Sequence, residues 1–386
     1  PDMPCIILAD RLYPSDIMYH AARQAFGFVS RYGSVYSHSA ILARNLGIPY
    51  ISQLDSGFDG IKDQSVVMIN GQKGEVYVDI DWKTAEALQE KSLKQQEKEE
   101  TVKIARISVP HGKRIKIMAN ANRLEDLEAI RKSAAEGIGL VRSEYLFSDD
   151  TAYPDEDTQF EIYKKFVTGM APHPVTIRTF DFSSDKPNRF RCYEKEENPA
   201  LGYRGIRISL EEPKDFLVQI RALLRASEDG NLRILFPMIT GLKEVIAIKM
   251  LLLEARKTLK EENMKMARSV PIGLMIETPA AALIADMLAP EVDFFSLGTN
   301  DLIQYTLASD RQNARTAGLY DENHPAIKKL IHMTCQAAKK AKIPVAICGE
   351  MAENPDYAKM FVSYQVDELS VAVKNIDRLR KLYSSK

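Results

Sequence analysis

The residues best suited to chemistry lie between Ile276 and Arg311, where two apolar strands each end in polar groups. Glu277 follows the strand GLMI, and Asn300 and Asp301 follow FFSLGT. A buried parallel strand that carries a carboxylate at its C-terminal end is a common way to build an active site. Two such carboxylates suit a hard divalent cation such as Mg²⁺, which takes oxygen ligands and leaves room for substrate oxygens. Arg311 follows and could hold an anion, so the stretch indicates a metal-and-anion site.

Two arginines also close apolar strands. Arg142 ends GIGLVR and Arg178 ends VTIR, while Arg204 and Arg207 lie in NPALGYRGIR. A lone arginine at a strand end usually forms a surface ion pair. Several arginines that converge with Arg311 favour a ligand instead, because a guanidinium group matches phosphate and carboxylate oxygens bidentately. We therefore expect a small, doubly anionic ligand.

Cys348 and His38 each allow two interpretations. Cys348 ends the strand VAI and is either a small buried core residue or a thiol that faces the site. In the second case it could donate a proton to an enolate carbon. A lone histidine is more often a satisfied surface or core residue. His38, however, falls in the first turn of a helix, where backbone amides favour a phosphate and keep the imidazole neutral and nucleophilic.

The elements that would position these residues alternate between strand and helix from about residue 107 to residue 386. Helical segments such as Asp126 to Ala135 and Lys243 to Leu259 separate the strands. This α/β pattern predicts a (β/α)₈ TIM barrel whose strand ends share one face. The eight strand candidates are Ile115–Met118, Gly139–Val141, Val175–Ile177, Ile234–Phe236, Gly273–Ile276, Phe294–Leu297, Val345–Ile347 and Glu368–Val371.

Two further segments precede the predicted barrel. Residues 1–80 contain short strands and helices and predict a small β/α domain. Residues 81–106 are polar and helical, with too few apolar positions to form a core, and predict a linker that could act as a hinge.

The composition narrows the class of protein. The chain has 386 residues, of which 45% are hydrophobic and 27% charged, as in a globular protein of two or three domains. The net charge of −1 argues against general binding to nucleic acid or to a membrane surface. Its four cysteines are scattered without a CxxC pair, and no apolar run could span a membrane, so we expect a cytoplasmic protein.

Taken together, the motifs resemble those of the phosphoenolpyruvate-utilising enzymes, most of all the Enzyme I group of the sugar phosphotransferase system. GSVYSHSAILARNLGIP resembles the phosphohistidine signature of that family. GIGLVRSEYLF, VTIRTFDFSSDKP, ENPALGYRGIR, RILFPMI, GLMIETPAAA, FFSLGTNDLIQYTLASDR and AICGEMA resemble its barrel. The resemblance covers essentially the whole chain and implies a swivelling phosphohistidine domain followed by a barrel that binds phosphoenolpyruvate.

The resemblance also implies a role for each candidate residue. His38 would be the phosphorylated nucleophile, and Cys348 would protonate the enolpyruvate carbon. Glu277 and Asp301 would hold Mg²⁺. The resemblance further implies a homodimer formed through the barrel and transfer of the phosphoryl group to the small carrier protein HPr. The residues implied to bind phosphoenolpyruvate are Arg142, Arg178, Asn300, Asp301 and Arg311.

Two departures from the family pattern bear on function. The family usually has Gly-Gly-Arg-Thr before Ser-His, whereas this chain has Gly33-Ser34-Val35-Tyr36, which changes the backbone freedom and the charge beside His38. Members also carry more sequence ahead of this point, including the helical domain that docks HPr, so we expect a partial form. The alternative is a regulatory or scaffold protein that binds phosphoenolpyruvate with little or no turnover.

Overall fold

The computed structural model describes residues 5–91, 114–147, 153–183 and 196–383, apart from positions 22, 24, 35–36, 55–56, 72, 312 and 314–315. The chain divides into two compact units. One comprises Pro1–Ala105 together with Leu307–Asp321, and the other Arg106–Thr306 together with Glu322–Lys386. Among the described residues, no helix combines the length and apolar character needed to cross a lipid bilayer.

The first unit contains a small parallel sheet and a hairpin. Its three parallel strands are adjacent in chain order, and the hairpin strands pair antiparallel. Leu12, Ile17 and Phe28 lie at the centre of its hydrophobic core. The predicted linker begins with helix α3 at residues 82–91, and its remainder lies outside the described residues. The other elements are β1 (Cys5–Ala9), α1 (Pro14–Ala21), β2 (Ala25–Ser30), α2 (His38–Asn45), β3 (Tyr50–Ile51), β4 (Val67–Asn70) and β5 (Glu75–Val78).

The second unit is a closed barrel of eight parallel strands, which confirms the predicted α/β class and TIM-barrel architecture. Every strand pairs with its neighbours in chain order, and the last pairs with the first. The strands are β6 (Lys116–Ala121), β7 (Ile138–Arg142), β8 (Val175–Arg178), β9 (Leu232–Phe236), β10 (Ile272–Ile276), β11 (Phe294–Gly298), β12 (Val345–Cys348) and β13 (Glu368–Val371).

Helices follow the strands as the sequence pattern predicts. Amphipathic spacing is clear in the longer helices, which bury one face and expose the other. Several strand-to-helix connections contain an extra short helix. The helices are α4 (Asp126–Lys132), α5 (Glu156–Met170), α6 (Ile206–Glu211), α7 (Pro213–Ala226), α8 (Leu242–Glu261), α9 (Pro279–Leu283), α10 (Ala285–Leu288), α11 (Thr299–Thr306), α12 (Pro325–Ala341), α13 (Ala358–Ser363) and α14 (Ile376–Tyr383).

Apolar side chains fill the barrel and give its strand ends a rigid base. Leu140, Leu235, Met275 and Phe294 form a buried cluster that also includes Cys348. The interior is therefore packed, and chemistry is confined to the open ends of the strands.

Candidate active site

The structure places six of the candidate residues at one end of the barrel. Because all eight strands are parallel, their carboxyl ends share one face. These residues are Arg142 at the end of β7, Arg178 at the end of β8, Glu277 directly after β10, Asn300 and Asp301 in the first turn of α11 after β11, and Cys348 at the end of β12.

The Glu277 carboxyl group is buried, with 2% of the residue exposed. Its Oε1 accepts a hydrogen bond from the backbone nitrogen of Met238 at 2.7 Å. Gly298 makes room for it, since a Cβ at that position would lie 2.7 Å from Oε2. Burial, and then the charges of Asp301 and Asp181, raise the pKa of Glu277 to about 8. A carboxyl group in this state would gain from added positive charge.

Asp301 shares the guanidinium group of Arg204 with Asp181. The Nη2 atom of Arg204 lies 3.2 Å from Oδ2 of Asp301 and 2.8 Å from Oδ2 of Asp181. Its Nη1 donates to the Tyr305 hydroxyl at 2.9 Å, and that hydroxyl donates to the carbonyl of Ala200. Arg204, Asp181 and Asp301 are all buried. One fixed cation therefore orients two buried carboxylates.

Arg178 is a second buried cation in the cluster. Its Nη2 forms ion pairs with Glu144 and, at 3.3 Å, with Oδ2 of Asp181. Its Nη1 lies 3.5 Å from the sulfur of Met275. Burial lowers the pKa of Arg178, but the carboxylates of Glu144 and Asp181 raise it more, so the net shift is upward. The guanidinium group is therefore charged and fixed in direction before any ligand arrives.

Arg142 and Asn300 also lie at this end of the barrel. Nη1 of Arg142 lies 3.4 Å from Oδ1 of Asn122, and among the described residues this is its one side-chain hydrogen bond. Oδ1 of Asn300 accepts from the backbone nitrogen of Glu350 at 3.0 Å. This contact fixes the orientation of the Asn300 amide group.

Cys348 holds a buried thiol, with 2% of the residue exposed. Its sulfur lies 3.4 Å from the Ser296 hydroxyl and 3.4 Å from the carbonyl oxygen of Leu297. Burial raises the pKa of the Cys348 thiol above its ordinary value, and the nearby charge of Glu277 acts in the same direction. The thiol therefore stays protonated near neutral pH and is suited to donate a proton rather than to act as a nucleophile.

The donor set fits a divalent cation that also takes oxygens from a ligand. No group of three His, Cys, Asp or Glu side chains within the described ranges could hold a metal by itself. Among the described residues, four carboxyl groups and three guanidinium groups lie at this end of the barrel, and burial, followed by the charges of Asp301 and Asp181, raises the pKa of Glu277. The charged side chains concerned are Glu144, Asp181, Glu277 and Asp301, against Arg142, Arg178 and Arg204.

Two candidate residues belong to the other compact unit. Arg311 lies in the segment Leu307–Asp321, which groups with the N-terminal residues. His38 begins helix α2, and the hydroxyl of Ser37 accepts from the backbone nitrogen of Ala40 at 3.2 Å as the N-cap. The side chain of His38 and the residues Val35 and Tyr36 lie outside the described part of the chain.

The site contains residues that the sequence did not single out. Glu144 comes two positions after Arg142, and Asp181 three positions after Arg178, so both were visible as polar residues just beyond a strand end. The backbone nitrogen of Met238 and the hydroxyl of Tyr305 gave no comparable signal, since their roles depend on contacts across the barrel.

Comparison with known protein families identifies the two parts of the chain. Residues 1–74 match the family model described as PEP-utilising enzyme, mobile domain, and residues 95–386 match PEP-utilising enzyme, PEP-binding domain. The chain belongs to the phosphoenolpyruvate-utilising enzyme family. The predicted resemblance is therefore confirmed at the level of the family.

Curated relatives of this family cover nearly the whole chain. The phosphoenolpyruvate-protein phosphotransferase of Streptococcus equinus is 40% identical over 386 residues, which is 99% of this chain and 67% of that protein. The proteins of the same name from Enterococcus faecalis and Bacillus subtilis are 39% and 38% identical, over 98% and 96% of this chain and 66% of each relative. The chain thus spans about two thirds of the length of these relatives.

Proposed function

We propose that this protein transfers the phosphoryl group of phosphoenolpyruvate to His38 and releases pyruvate. The observation that carries the proposal is the buried, protonated thiol of Cys348 beside Glu277 and the arginines at the strand ends. Phosphoenolpyruvate is a highly charged anion, and its enolate product needs one proton at carbon. At this end of the barrel, fixed guanidinium groups could bind the anion and the thiol could supply the proton.

The ligand-binding roles follow from the chemistry of each side chain. Arg142 and Arg178 would bind phosphate and carboxylate oxygens, because both lie at strand ends and carry planar donors. The amide nitrogen of Asn300 would donate to the same ligand. We further propose Asp301 and Arg311 as substrate-binding residues, with Arg311 supplied by the segment that follows α11.

Glu277 and Asp301 would hold Mg²⁺. The two buried carboxyl groups support this, because a phosphorylated acid would bring further negative charge beside them. When bound, the cation supplies neutralising charge to the phosphoryl oxygens. The protein contributes two preset ligands, one held by the backbone nitrogen of Met238 and the other by Arg204.

The transfer step is a displacement at phosphorus. A neutral imidazole nitrogen of His38 forms the new bond to phosphorus, and the bond from phosphorus to the enol oxygen breaks. The electron pair of that bond leaves with the enolate, which takes a proton at its terminal carbon from Cys348 and becomes pyruvate. Catalysis of this kind depends mainly on positioning and on stabilising charge.

We propose a protein acceptor of the HPr type for the second half of the reaction. The support is the name of the curated relatives, phosphoenolpyruvate-protein phosphotransferase. The cysteine pattern supports a cytoplasmic setting for such a system.

We also propose a homodimer formed through the barrel. Helix α10 packs against α8. Helices α8, α9 and α10 carry apolar residues that are each more than half exposed. Grouped exposure of this kind marks association surfaces. The residues are Ile246 and Met250 on α8, Leu283 on α9 and Met287 on α10. Met250→Asp should shift sedimentation from dimer to monomer if this face is the contact.

One alternative has a specific observation in its favour. The residues Gly33-Ser34-Val35-Tyr36 ahead of His38 differ from the family pattern, which supports a protein that binds phosphoenolpyruvate without turnover.

Exchange of isotope from labelled pyruvate into phosphoenolpyruvate separates the two functions, because exchange requires a phosphorylated enzyme. We expect exchange in the wild type and in His173→Ala, which changes an exposed histidine of the barrel unit, but not in His38→Ala. Binding without exchange in the wild type would favour the regulatory protein.

A further inference from the structure

A second pocket lies at the opposite end of the barrel from the candidate active site. It has a volume of about 320 Å³ and lies where α8 and the connection from α8 to β10 meet the first residue of β10. Its lining combines cationic and apolar side chains, including Arg256, Arg268, Ser269, Leu224, Leu252 and Val270. We propose that this pocket binds a small organic anion that has an apolar body and a carboxylate or phosphate end.

The two arginines carry positive charge without a carboxylate partner. Arg256 donates from Nη1 to the backbone carbonyls of Ala267 at 3.2 Å and Arg268 at 3.4 Å. Neither arginine forms an ion pair with any carboxylate of the described ranges. Burial lowers the pKa of Arg256, and no nearby acid counteracts that effect. A half-buried guanidinium group in this state gains from an anion more than a solvated or paired one does.

The other charged groups of the pocket are already engaged. The Nζ atom of Lys249 lies 2.6 Å from Oε2 of Glu291, so this cation and this acid pair with each other. Asp293 also lines the pocket, and its Oδ2 accepts from the backbone nitrogen of Ile272 at 2.8 Å. Asp293 keeps its negative charge in this hydrogen bond, but the two arginines outnumber it, so the described lining is net positive.

The apolar residues that line the pocket indicate that the rest of the ligand is apolar. Leu252 and Val270 are buried, and Leu224 is fully buried in the helix behind them. Pockets that bind small molecules commonly combine such a wall with a few placed polar groups. An inorganic anion would pair with the arginines but would leave the apolar side chains in contact with water. An anion with a short alkyl chain would pair with the arginines and also cover the apolar side chains.

This pocket is distinct from the phosphoenolpyruvate site. Ile272 begins β10 at the pocket and Glu277 follows the other end of the same strand. At ~3.3 Å per residue, the two lie ~17 Å apart along β10. A ligand in the pocket therefore would not compete with a ligand at the strand ends.

The test uses methyl NMR on the full chain labelled at leucine and valine. Hexanoate, hexyl phosphate, acetate and hexan-1-ol are titrated separately. We expect hexanoate or hexyl phosphate to shift the methyl signals of Leu252 and Val270 in a saturable way, and the comparison identifies the preferred anionic end. Acetate, which lacks the apolar body, and hexan-1-ol, which lacks the charge, should each bind at least about tenfold more weakly.

Variants then test the arginines. Arg268→Gln should weaken binding about tenfold, as expected for loss of a hydrogen bond to a charged group. Lys257→Gln removes a charge from an exposed position on α8, the helix that carries Arg256, and should leave the affinity unchanged. Equal binding of hexan-1-ol, no effect of Arg268→Gln, or displacement of hexanoate by phosphoenolpyruvate would each overturn the proposal.

Discussion

Arg204 and Asp301 form a buried ion pair, with 3.2 Å between Nη2 and Oδ2. The same guanidinium group also pairs with Asp181. The cation therefore lies between a residue that follows β8 and one that follows β11. It holds in place a carboxylate that we propose as a metal ligand.

Removal of that cation should destabilise the barrel. Arg204→Met removes the cation that the buried carboxylates of Asp181 and Asp301 share, which costs about 3 kcal/mol of unfolding free energy. Mg²⁺ should restore part of the loss. Arg207→Met is the matched control, because among the described residues Arg207 donates to the backbone carbonyls of Leu201 and Gly202 rather than to a carboxylate. Denaturant unfolding with and without Mg²⁺ measures both effects, and equal losses in the two variants would contradict the role given to Arg204.

The thiol of Cys348 should be needed for pyruvate formation. Cys348→Ala removes the proposed acid, and loss of a positioned general acid lowers kcat by about 10²- to 10⁴-fold. The KM for phosphoenolpyruvate should change little. Cys335→Ala removes another buried thiol, located in α12, and should keep near-normal turnover. Normal pyruvate release by Cys348→Ala would assign the proton to another donor.

Stability without divalent cations should depend on pH through Glu277. Burial and the neighbouring carboxylates raise its pKa from 4.5 to about 8, so the folded state binds this proton more tightly than the unfolded state does. The contribution of Glu277 to the free energy of unfolding should therefore be greatest below pH 4.5 and should be lost as the pH rises through about 8.

Glu277→Gln should flatten this dependence between pH 5 and pH 8, and saturating Mg²⁺ should reduce it in the wild type. Chemical denaturation across that range is the measurement. An unchanged slope in Glu277→Gln would place the titrating group elsewhere.

A buried hydrogen-bond network behind the strand ends should control substrate affinity. The Gln219 amide donates to the hydroxyls of Ser143 at 3.2 Å and Tyr163 at 3.0 Å, and it accepts from the backbone nitrogen of Phe180 at 3.0 Å. Ser143 in turn donates to the carbonyl of Arg178 at 2.6 Å. Gln219 thus acts on Arg178 through its neighbours, as a positioning residue.

Gln219→Met removes these buried hydrogen bonds, including the acceptor of the Phe180 backbone nitrogen, and should cost about 3 kcal/mol of stability. Because Arg178 loses support, the KM for phosphoenolpyruvate should rise more than kcat falls. Gln159→Met is the control, since Gln159 accepts from Tyr163 in the same network while its amide nitrogen donates to the carbonyl of Pro154. Similar KM values in the two variants would reduce Gln219 to a purely structural role.

The sequence predicted the position of a residue wherever that position follows directly from the order of the strands. Glu277 and Cys348 could be predicted because each comes directly after an apolar run, and parallel strands bring their ends to one face. The pairing of Arg204 with Asp301 could not, because the two lie far apart in sequence and their contact depends on how α6 and α11 begin. Likewise, no local pattern indicates that Glu144 pairs with Arg178 across two adjacent strands.

Arg311 shows a different limit of local patterns. Arg311 follows α11 closely, so its place in the sequence suggested that it lies with the residues at the strand ends. In the structure, its segment Leu307–Asp321 belongs to the first compact unit. Its role in binding phosphoenolpyruvate remains a prediction, and Arg311→Lys in a binding assay would test it.

The proposed function depends on phosphorylation of His38, which intact-protein mass spectrometry can detect. Protein incubated with phosphoenolpyruvate and Mg²⁺ should gain one phosphoryl group that is lost in acid, and peptide mapping should assign it to His38. His38→Ala should gain none, while His173→Ala should behave as the wild type. An unmodified wild-type protein, or equal labelling of His38→Ala, would rule out His38 as the phosphorylated residue.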